Sequence, residues 1–285
     1  MPEEASRSFQ IGDVQCIVVN DGNFSYPASW FFSNVPQDRL EDELRLHGLQ
    51  PDQVLSPYAC LLIKAGNHKV LVDTGAANLA PTTGKLLPRL HAEGVSPADI
   101  DTVILTHGHP DHIGGAVNAE GKPAFPNARY VMWKEEWDFW SAEKIDLAGM
   151  NIPKEVKTLM IDSARKALPP IKAQVDLLER EMEIVPGVHA VSAPGHTPGH
   201  MALSISSGPQ QLLVLADAVL HPMHLEHPGW QTVFDFAQDR AATTRRGLLD
   251  RAAADQAKVM AYHFPFPNLG QVVARGQGAW RWEPG

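Results

Sequence analysis

The chain has 285 residues, enough for one large domain or two small ones and for a sizeable buried core. Its 44% hydrophobic and 20% charged residues exclude a disordered chain. With 33 Asp and Glu against 24 Lys and Arg the net charge is −9, which argues against neutralising phosphates along a nucleic acid. No apolar run approaches the length of a membrane span, and the acidic start "MPEEASRSFQIGDVQ" lacks the apolar core of a signal peptide, so a cytoplasmic protein is expected.

In chain order, "DVQCIVVNDG" (Asp13–Gly22) predicts a strand closed by an Asn-Asp-Gly turn. The aromatic "NFSYPASWFFSNV" follows, readable as a flap or as a core hairpin between two strands. "QDRLEDELRLHGL" has helical period with Gly48 at a C-cap position. "SPYACLLIKAGNHKVLVDTG" holds two apolar runs joined by "GNH", a hairpin signal. Cys16 and Cys60 lie in these strand-like runs, and two thiols make no disulfide framework, so buried free thiols are expected rather than a bridge. "GKLLPRLHAEG" predicts a helix ending at Gly94, with Pro88 in its first turn or kinking it. "SPADIDTVILT" predicts a turn capped by Ser96 and Asp99, then a buried strand.

Beyond "THGHPDHIGG" (Thr106–Gly115), "ARYVMWKEEWDFW" predicts a strand and then a helix. Ser141–Leu178 is helical in character, broken by Pro153 and Pro169-Pro170. "GVHAVSA" and "MALSIS" are expected strands around a "PGHTPGH" turn, and "QQLLVLAD" is a strand ending at Asp217. "DRAATTRRGLLDRAAAD" predicts a helix with Asp239 as N-cap, "AKVMAYHF" a strand ending at His263, and "AWRWEPG" an edge strand or surface tail. No linker or repeat interrupts the chain, so residues 1–285 are read as a single domain. Strands lead and then alternate with helices, which favours a layered α/β or α+β architecture.

The chemistry gathers where apolar strands run out into turns. His107, His109, Asp111 and His112 follow "TVILT", His196 follows "AVSAP", Asp217 follows "LLVLA" and His263 follows "VMAY". Loops at strand ends are where rigid scaffolds hold reactive groups. Seven such ligands are too many for one zinc, and no thiolate is near. Two divalent ions about 3.5–4 Å apart would use them all. His107 and His109, at i and i+2, face one side of an extended backbone, while Asp111 and His112 come after the turn at Pro110 and can face a second ion. Gly114 and Gly115 permit close backbone packing where a following helix starts. Read without the rest, His196, Asp217 and His263 are as readily structural as metal-binding. His47, His68, His91 and His189 have nothing metal-like around them and are read as structural or surface residues.

"THGHPDHIGG", the downstream "PGHTPGH", Asp217, His263 and the upstream "VLVDTG" together resemble the signature of the metallo-β-lactamase superfamily, over roughly Asp13 to Val273. The resemblance implies a four-layer αβ/βα sandwich of the α/β class. It implies that His107, His109 and His196 bind one metal, that Asp111, His112 and His263 bind the other, and that Asp217 bridges them. The β-lactamases that name the superfamily typically carry cysteine where Asp217 stands, so β-lactam hydrolysis is not expected as the main activity. "PNARYVMWKEEWDFW" and "HFPFPNLGQV" look like the branch holding methyl parathion hydrolase and several N-acyl homoserine lactonases. Some of those lactonases place a tyrosine three residues after the bridging aspartate; here that position is Leu220, followed by His221.

The expected reaction is hydrolysis by a metal-bound hydroxide at a dinuclear centre of two divalent ions, zinc first, with manganese, iron or cobalt also suited. Asp111 and His221 are the expected catalytic side chains, and Asp73 is read as either a carboxylate behind the histidines or a turn residue. Phe24, Tyr26, Trp30 and Leu220 are the expected substrate pocket, with "WKEEWDFW" and the helical stretch to Leu178 as another wall. His224, His227 and Trp230 add a second cluster, for which an extra metal is not the expected reading. A neutral, partly apolar lactone or carboxylic ester is the expected partner, with a phosphotriester as the alternative and a non-catalytic metal-binding protein third. No nucleic acid or membrane is expected, and a homodimer is allowed.

Overall fold

Residues 4–285 are described in the computed structural model; the first three residues of the acidic N-terminal stretch lie outside it. The first half of the chain forms β1 (Ser6–Ile11), β2 (Val14–Tyr26), α1 (Ala28–Phe31), α2 (Gln37–Leu46), β3 (Val54–Ala65), β4 (His68–Val72), α3 (Leu86–Ala92), β5 (Thr102–Ile104), α4 (Pro110–Ile113), β6 (Arg129–Trp133), α5 (Lys134–Trp140), α6 (Lys154–Ile171) and β7 (Val175–Leu178). The second half forms β8 (Glu183–Val185), β9 (Val188–Ser192), β10 (Met201–Ser207), β11 (Gln210–Ala216), α7 (Met223–Glu226), α8 (Gln238–Ala254), β12 (Lys258–Ala261), β13 (Leu269–Gly276) and β14 (Ala279–Pro284). Strands β1 to β7 make one seven-stranded mixed sheet in sequence order, and β14 to β8 make a second.

The strands read as nearly continuous apolar runs because both faces of each sheet are covered. On β3, Ala59, Leu61, Ile63 and Ala65 enter the core shared with the other sheet, through Leu203, Ile205, Leu212 and Val214. The alternate residues Tyr58, Cys60 and Leu62 pack with Leu86 and Leu90 of α3 and with Met160, Ala164 and Leu168 of α6. On the far side, Leu213, Leu215 and Val259 pack against Leu248, Leu249 and Ala252 of α8. The strand period of two therefore assigns one set to the centre and one to a helical layer, which gives the four-layer α/β sandwich.

Several local expectations are corrected by tertiary context. Asn20-Asp21-Gly22 does not end its strand. It is a bulge inside β2, because the Asp21 carboxylate accepts N–H groups of Ala76, Gly84 and Leu86 and is drawn out of the ladder. The aromatic stretch is accordingly the end of β2 followed by α1 rather than a separate hairpin. Pro169 and Pro170 do not break α6; they occupy its last turn, and Pro153 stands at its N-cap. Val175–Leu178 is a strand, parallel to β6. Asp239 sits in the first turn of α8, with Ala237 at the cap. Gly114 opens a short 3-10 turn, Gly114–Ala116, directly after α4, and the close packing expected there is present: a Cβ on Gly115 would lie 2.1 Å from the Thr74 carbonyl oxygen. The C-terminal segment is edge strand β14, which buries Trp280.

The hairpin at "GNH", the Gly48 and Gly94 helix ends and the Ser96–Asp99 capping box occur where the sequence places them. Cys16 and Cys60 are free and buried. Burial pushes the Cys16 thiol up to about 12 and the Cys60 thiol well above its ordinary value, so neither supplies thiolate near neutral pH. A thiol-reactive dye at pH 8 is expected to label neither cysteine in the native protein and both after unfolding; rapid labelling of the native chain would contradict this packing.

Candidate metal centre

Five loops converge at one edge of the two sheets. The turn after β5 leads through His107 and His109, the N-cap of α4, to Asp111 and His112 inside that helix. The loop after β9 carries His196, the residue after β11 is Asp217, and His263 lies two residues beyond β12 rather than at its end. The turn after β4 contributes Asp73 from behind.

The ligand atoms fall into two groups, each within 4.8 Å: His107, His109, His196 and Asp217, and Asp111, His112 and His263. Asp217 belongs in reach of both. Its Oδ2 lies 3.3 Å from His196 Nε2 and 3.7 Å from His107 Nε2 on one side, and 3.0 Å from His263 Nε2 on the other. Its Oδ1 lies 3.2 Å from His112 Nε2. Burial opposes ionisation of Asp217, but the facing His263, His112 and His107 rings overcome it and hold the carboxyl well below its ordinary range.

The donor set fits a pair of cations. His107 Nε2, His112 Nε2 and Asp217 Oδ1 are buried without a hydrogen-bond partner, and orphaned buried polar atoms are costly unless something binds them. His196 Nε2 and His109 Nδ1 face one another at 3.0 Å, a contact that a shared cation satisfies on both sides. Imidazole and carboxylate are ligands of zinc and its first-row neighbours.

Four of the five rings, all but His109, are also held from the rear. Nδ1 of His107 meets Thr106 Oγ1 at 3.1 Å, and Nδ1 of His112 meets Asp73 Oδ2 at 2.7 Å. Nδ1 of His196 meets Asp235 Oδ1 at 2.9 Å, and Nδ1 of His263 meets Ser56 Oγ at 2.8 Å and the Pro57 carbonyl at 3.1 Å. Such contacts fix ring orientation and tautomer. Asp235 is itself braced by the buried Arg245, 3.5 Å away, whose other N–H groups donate to the carbonyls of Ala218 and Trp230.

Three supporting residues bind the loops together. Glu136 accepts the N–H groups of Gly108 and Gly199 and the indole N–H of Trp140, joining the two histidine loops. Gly108 is required there, because a Cβ would lie 2.3 Å from the Trp140 ring. His200 is pushed down to about 3 by burial and so stays neutral; Nδ1–H donates to the Ala193 carbonyl, and Nε2 accepts the N–H of Asp217. Tyr262 donates its hydroxyl to the Asp111 carbonyl at 2.7 Å. Asp235, Glu136, Arg245 and Ser56 carry no signal in the sequence, since a lone carboxylate, guanidinium or hydroxyl distant in the chain makes no motif. His200 and Tyr262 lie beside ligands and carried a positional signal.

A cavity of about 280 Å³ opens onto the cluster. Phe24, Tyr26, Trp30 and Leu220 all line it, together with Phe31, Phe234 and the α6 residues Val156, Leu159 and Met160. Of the expected far wall, α6 therefore reaches the cavity, while α5 backs the metal loop through Trp140 against His109. His221 is not brought to the cavity. Its Nδ1 accepts the N–H of Met223, its ring packs on Phe31 and Phe32, and burial pushes it down to about 3. His224 bonds the Phe31 carbonyl through Nε2, and His227 stacks on Trp230 and faces Glu43, so neither joins a ligand group among the described residues.

Residues 54–262 match the family described as the metallo-beta-lactamase superfamily. An N-acyl homoserine lactonase from a Bacillus species is 28% identical over 190 residues, which cover 58% of this chain and 66% of that protein; the chain thus spans just under two thirds of that relative's length. Among solved structures, AidC, a dizinc quorum-quenching lactonase in complex with a product, superposes with a TM-score of 0.89 at 26% identity, covering 99% of each chain. The hydrolase AbOPH of the beta lactamase superfamily gives a TM-score of 0.88 at 26% identity, over 100% of this chain and 98% of that one.

The rear contacts generate a test. Asp235→Asn keeps the shape but removes the charge behind His196, and it is expected to weaken metal affinity about 10- to 100-fold. Competition with a chelating dye measures this; unchanged affinity would remove Asp235 from the site.

Proposed function

The chain belongs to the metallo-beta-lactamase superfamily, and from that premise we propose that it is a dinuclear metal-dependent hydrolase of lactones or carboxylic esters. The observation that carries the proposal is a ligand cluster sharing Asp217 that opens into an aromatic, apolar cavity whose lining, among the described residues, includes no lysine or arginine. Such a lining suits a neutral, partly apolar substrate and offers no counter-charge to a phosphate monoester or a nucleic-acid backbone. The likeness to lactonases supports the acyl side of the reading. A phosphotriester is the second reading, because it is also neutral and would enter the same cavity.

We assign His107, His109 and His196 to one ion, Asp111, His112 and His263 to the other, and Asp217 to both, with zinc the first choice. When bound, such ions supply Lewis acidity, lowering the pKa of water toward neutrality and polarising the bond under attack. The protein's own part is positional. Asp111 lines the cavity and is the most exposed ligand, its side chain 15% accessible, so its carboxylate stands where it can take a proton from attacking water and return it to the leaving oxygen. Water adds to the carbonyl carbon, the acyl–oxygen bond breaks, and the proton ends on the released alcohol. The apolar walls of Trp30, Phe31 and Phe234 hold the acyl portion and exclude competing water.

We further read residues 1–285 as one domain, supported by the core that the two sheets share. No helix among the described residues is long and apolar enough to cross a membrane. A cytoplasmic location is part of the proposal and is supported by two unpaired buried thiols.

A panel of acyl lactones, aryl esters and aryl phosphotriesters, with zinc, manganese and cobalt forms, tests the substrate class. Chelator-sensitive turnover of lactones or esters is expected; turnover of phosphotriesters alone would select the second reading, and no chelator-sensitive hydrolysis at all would favour a non-catalytic protein. Asp217→Ala is expected to lose both ions and to lower kcat more than about 10³-fold, since both groups depend on it; near-normal rates or two retained ions would refute the shared assignment.

A further inference from the structure

Two phenols meet at the cavity wall. Tyr26, at the end of β2, and Tyr58, on β3, place their hydroxyl oxygens 2.6 Å apart. Both residues line the cavity that opens on the ligand cluster, together with Asp111, Asp217 and His263. The Tyr58 ring lies 5.6 Å from that of His263, centroid to centroid. Tyr26 is held by rings on several sides, with Phe24 at 4.9 Å, Phe31 at 5.7 Å and Phe234 at 5.6 Å.

A phenol carries one proton and can also accept, so the pair holds two protons and makes one hydrogen bond. Burial decides which way that bond runs. Tyr58 is 0% exposed, and Tyr26 is the one hydrogen-bond partner of its hydroxyl among the described residues. A buried donor left without an acceptor is costly, so Tyr58 donates to Tyr26. Tyr26 is then the acceptor, and its own proton has no acceptor among the described residues. Half-buried at the cavity wall, it is the hydroxyl that a ligand can meet. A hydroxyl that already accepts a hydrogen bond is a better donor through cooperative polarisation. Burial, with the negative charge of Asp111 nearby, raises both phenols above their ordinary range, so both remain protonated donors at working pH.

We propose that Tyr26 donates its phenolic hydrogen bond to the carbonyl oxygen of the bound lactone or ester, and that Tyr58 is the positioning residue that orients and polarises it. The inference rests on the hydrolase reading above and adds to it a protein-supplied donor for the oxygen on which charge develops. No bond forms or breaks at Tyr26; the hydrogen bond strengthens as the carbonyl oxygen becomes anionic, which is the condition for lowering a barrier rather than merely tightening binding.

The test compares wild type, Tyr26→Phe and Tyr58→Phe in the metal-loaded protein. The measurements are kcat and KM on the acyl lactones and aryl esters, bound metal per chain, and calorimetric affinity for an acyl-amide cyclopentanone, a ketone that keeps the carbonyl but cannot be hydrolysed. Tyr26→Phe is expected to lower kcat about 10- to 100-fold, to raise KM and weaken ketone binding by the same, smaller, several-fold factor, and to leave metal content unchanged. Tyr58→Phe is expected to show a smaller kcat loss, about 2- to 10-fold, with its metal also retained. If wild type turns over substrate and Tyr26→Phe keeps kcat within twofold, the hydrogen bond is refuted while the hydrolase reading stands. If wild type hydrolyses none of these substrates, the hydrolase reading fails, and ketone affinity alone decides: equal binding by the two proteins refutes the donor. If Tyr26→Phe does not fold, an unchanged kcat in Tyr58→Phe refutes the pair.

Discussion

An imidazole presents a chosen nitrogen in a fixed direction when its other nitrogen is held, and for His112, His196 and His263 that hold comes from a different part of the chain. Thr106 is the neighbour of His107, but Asp73, Asp235 and Ser56 reach His112, His196 and His263 from other loops and strands. A buried polar cluster of this kind is stable only when all members are satisfied together, since a half-paired network is costlier than an apolar one. The mutual placement of the two sheets is therefore what the site depends on, and the shared apolar core that fixes this placement is part of the site's construction.

The same constraint explains the residues behind the ligands. Glu136 spends its carboxylate on two loop N–H groups and an indole, not on a cation, and so locks the separation of the two histidine loops. Arg245 is buried in the second half of the chain, where it pairs with Asp235 and ties the α8 layer to His196. The apolar walls of the cavity come largely from other elements, the β2 end, α1 and α6, while its floor is the ligand cluster itself. The cluster determines what bond chemistry is available; the walls determine what shape is admitted.

The legible part of this arrangement was local. Alternating and continuous apolar runs mark the strands, and the spacing in "THGHPDHIGG" marks four candidate ligands that the structure brings into the two groups. The aromatic segment marked the cavity wall at Phe24, Tyr26 and Trp30. What was not legible depended on distant partners. Asn-Asp-Gly reads as a turn until Asp21 is seen holding the backbone of residues 76–86, which makes it a bulge. His221 reads as a reactive residue because it follows Asp217 and Leu220, yet the chain turns at Pro222 and buries its ring against Phe31 and Phe32. Asp235 and Glu136 look like any surface carboxylates in sequence, and only burial among N–H donors and imidazole distinguishes them.

The central claim is that Asp217 stands between two cations. A crystal structure of the zinc-loaded protein with anomalous data at the zinc edge tests it most directly. The account predicts two peaks about 3.5–4 Å apart, one among His107, His109 and His196, the other among Asp111, His112 and His263, with Asp217 contacting both. A single peak, or a pair that leaves Asp217 outside its contacts, would contradict it.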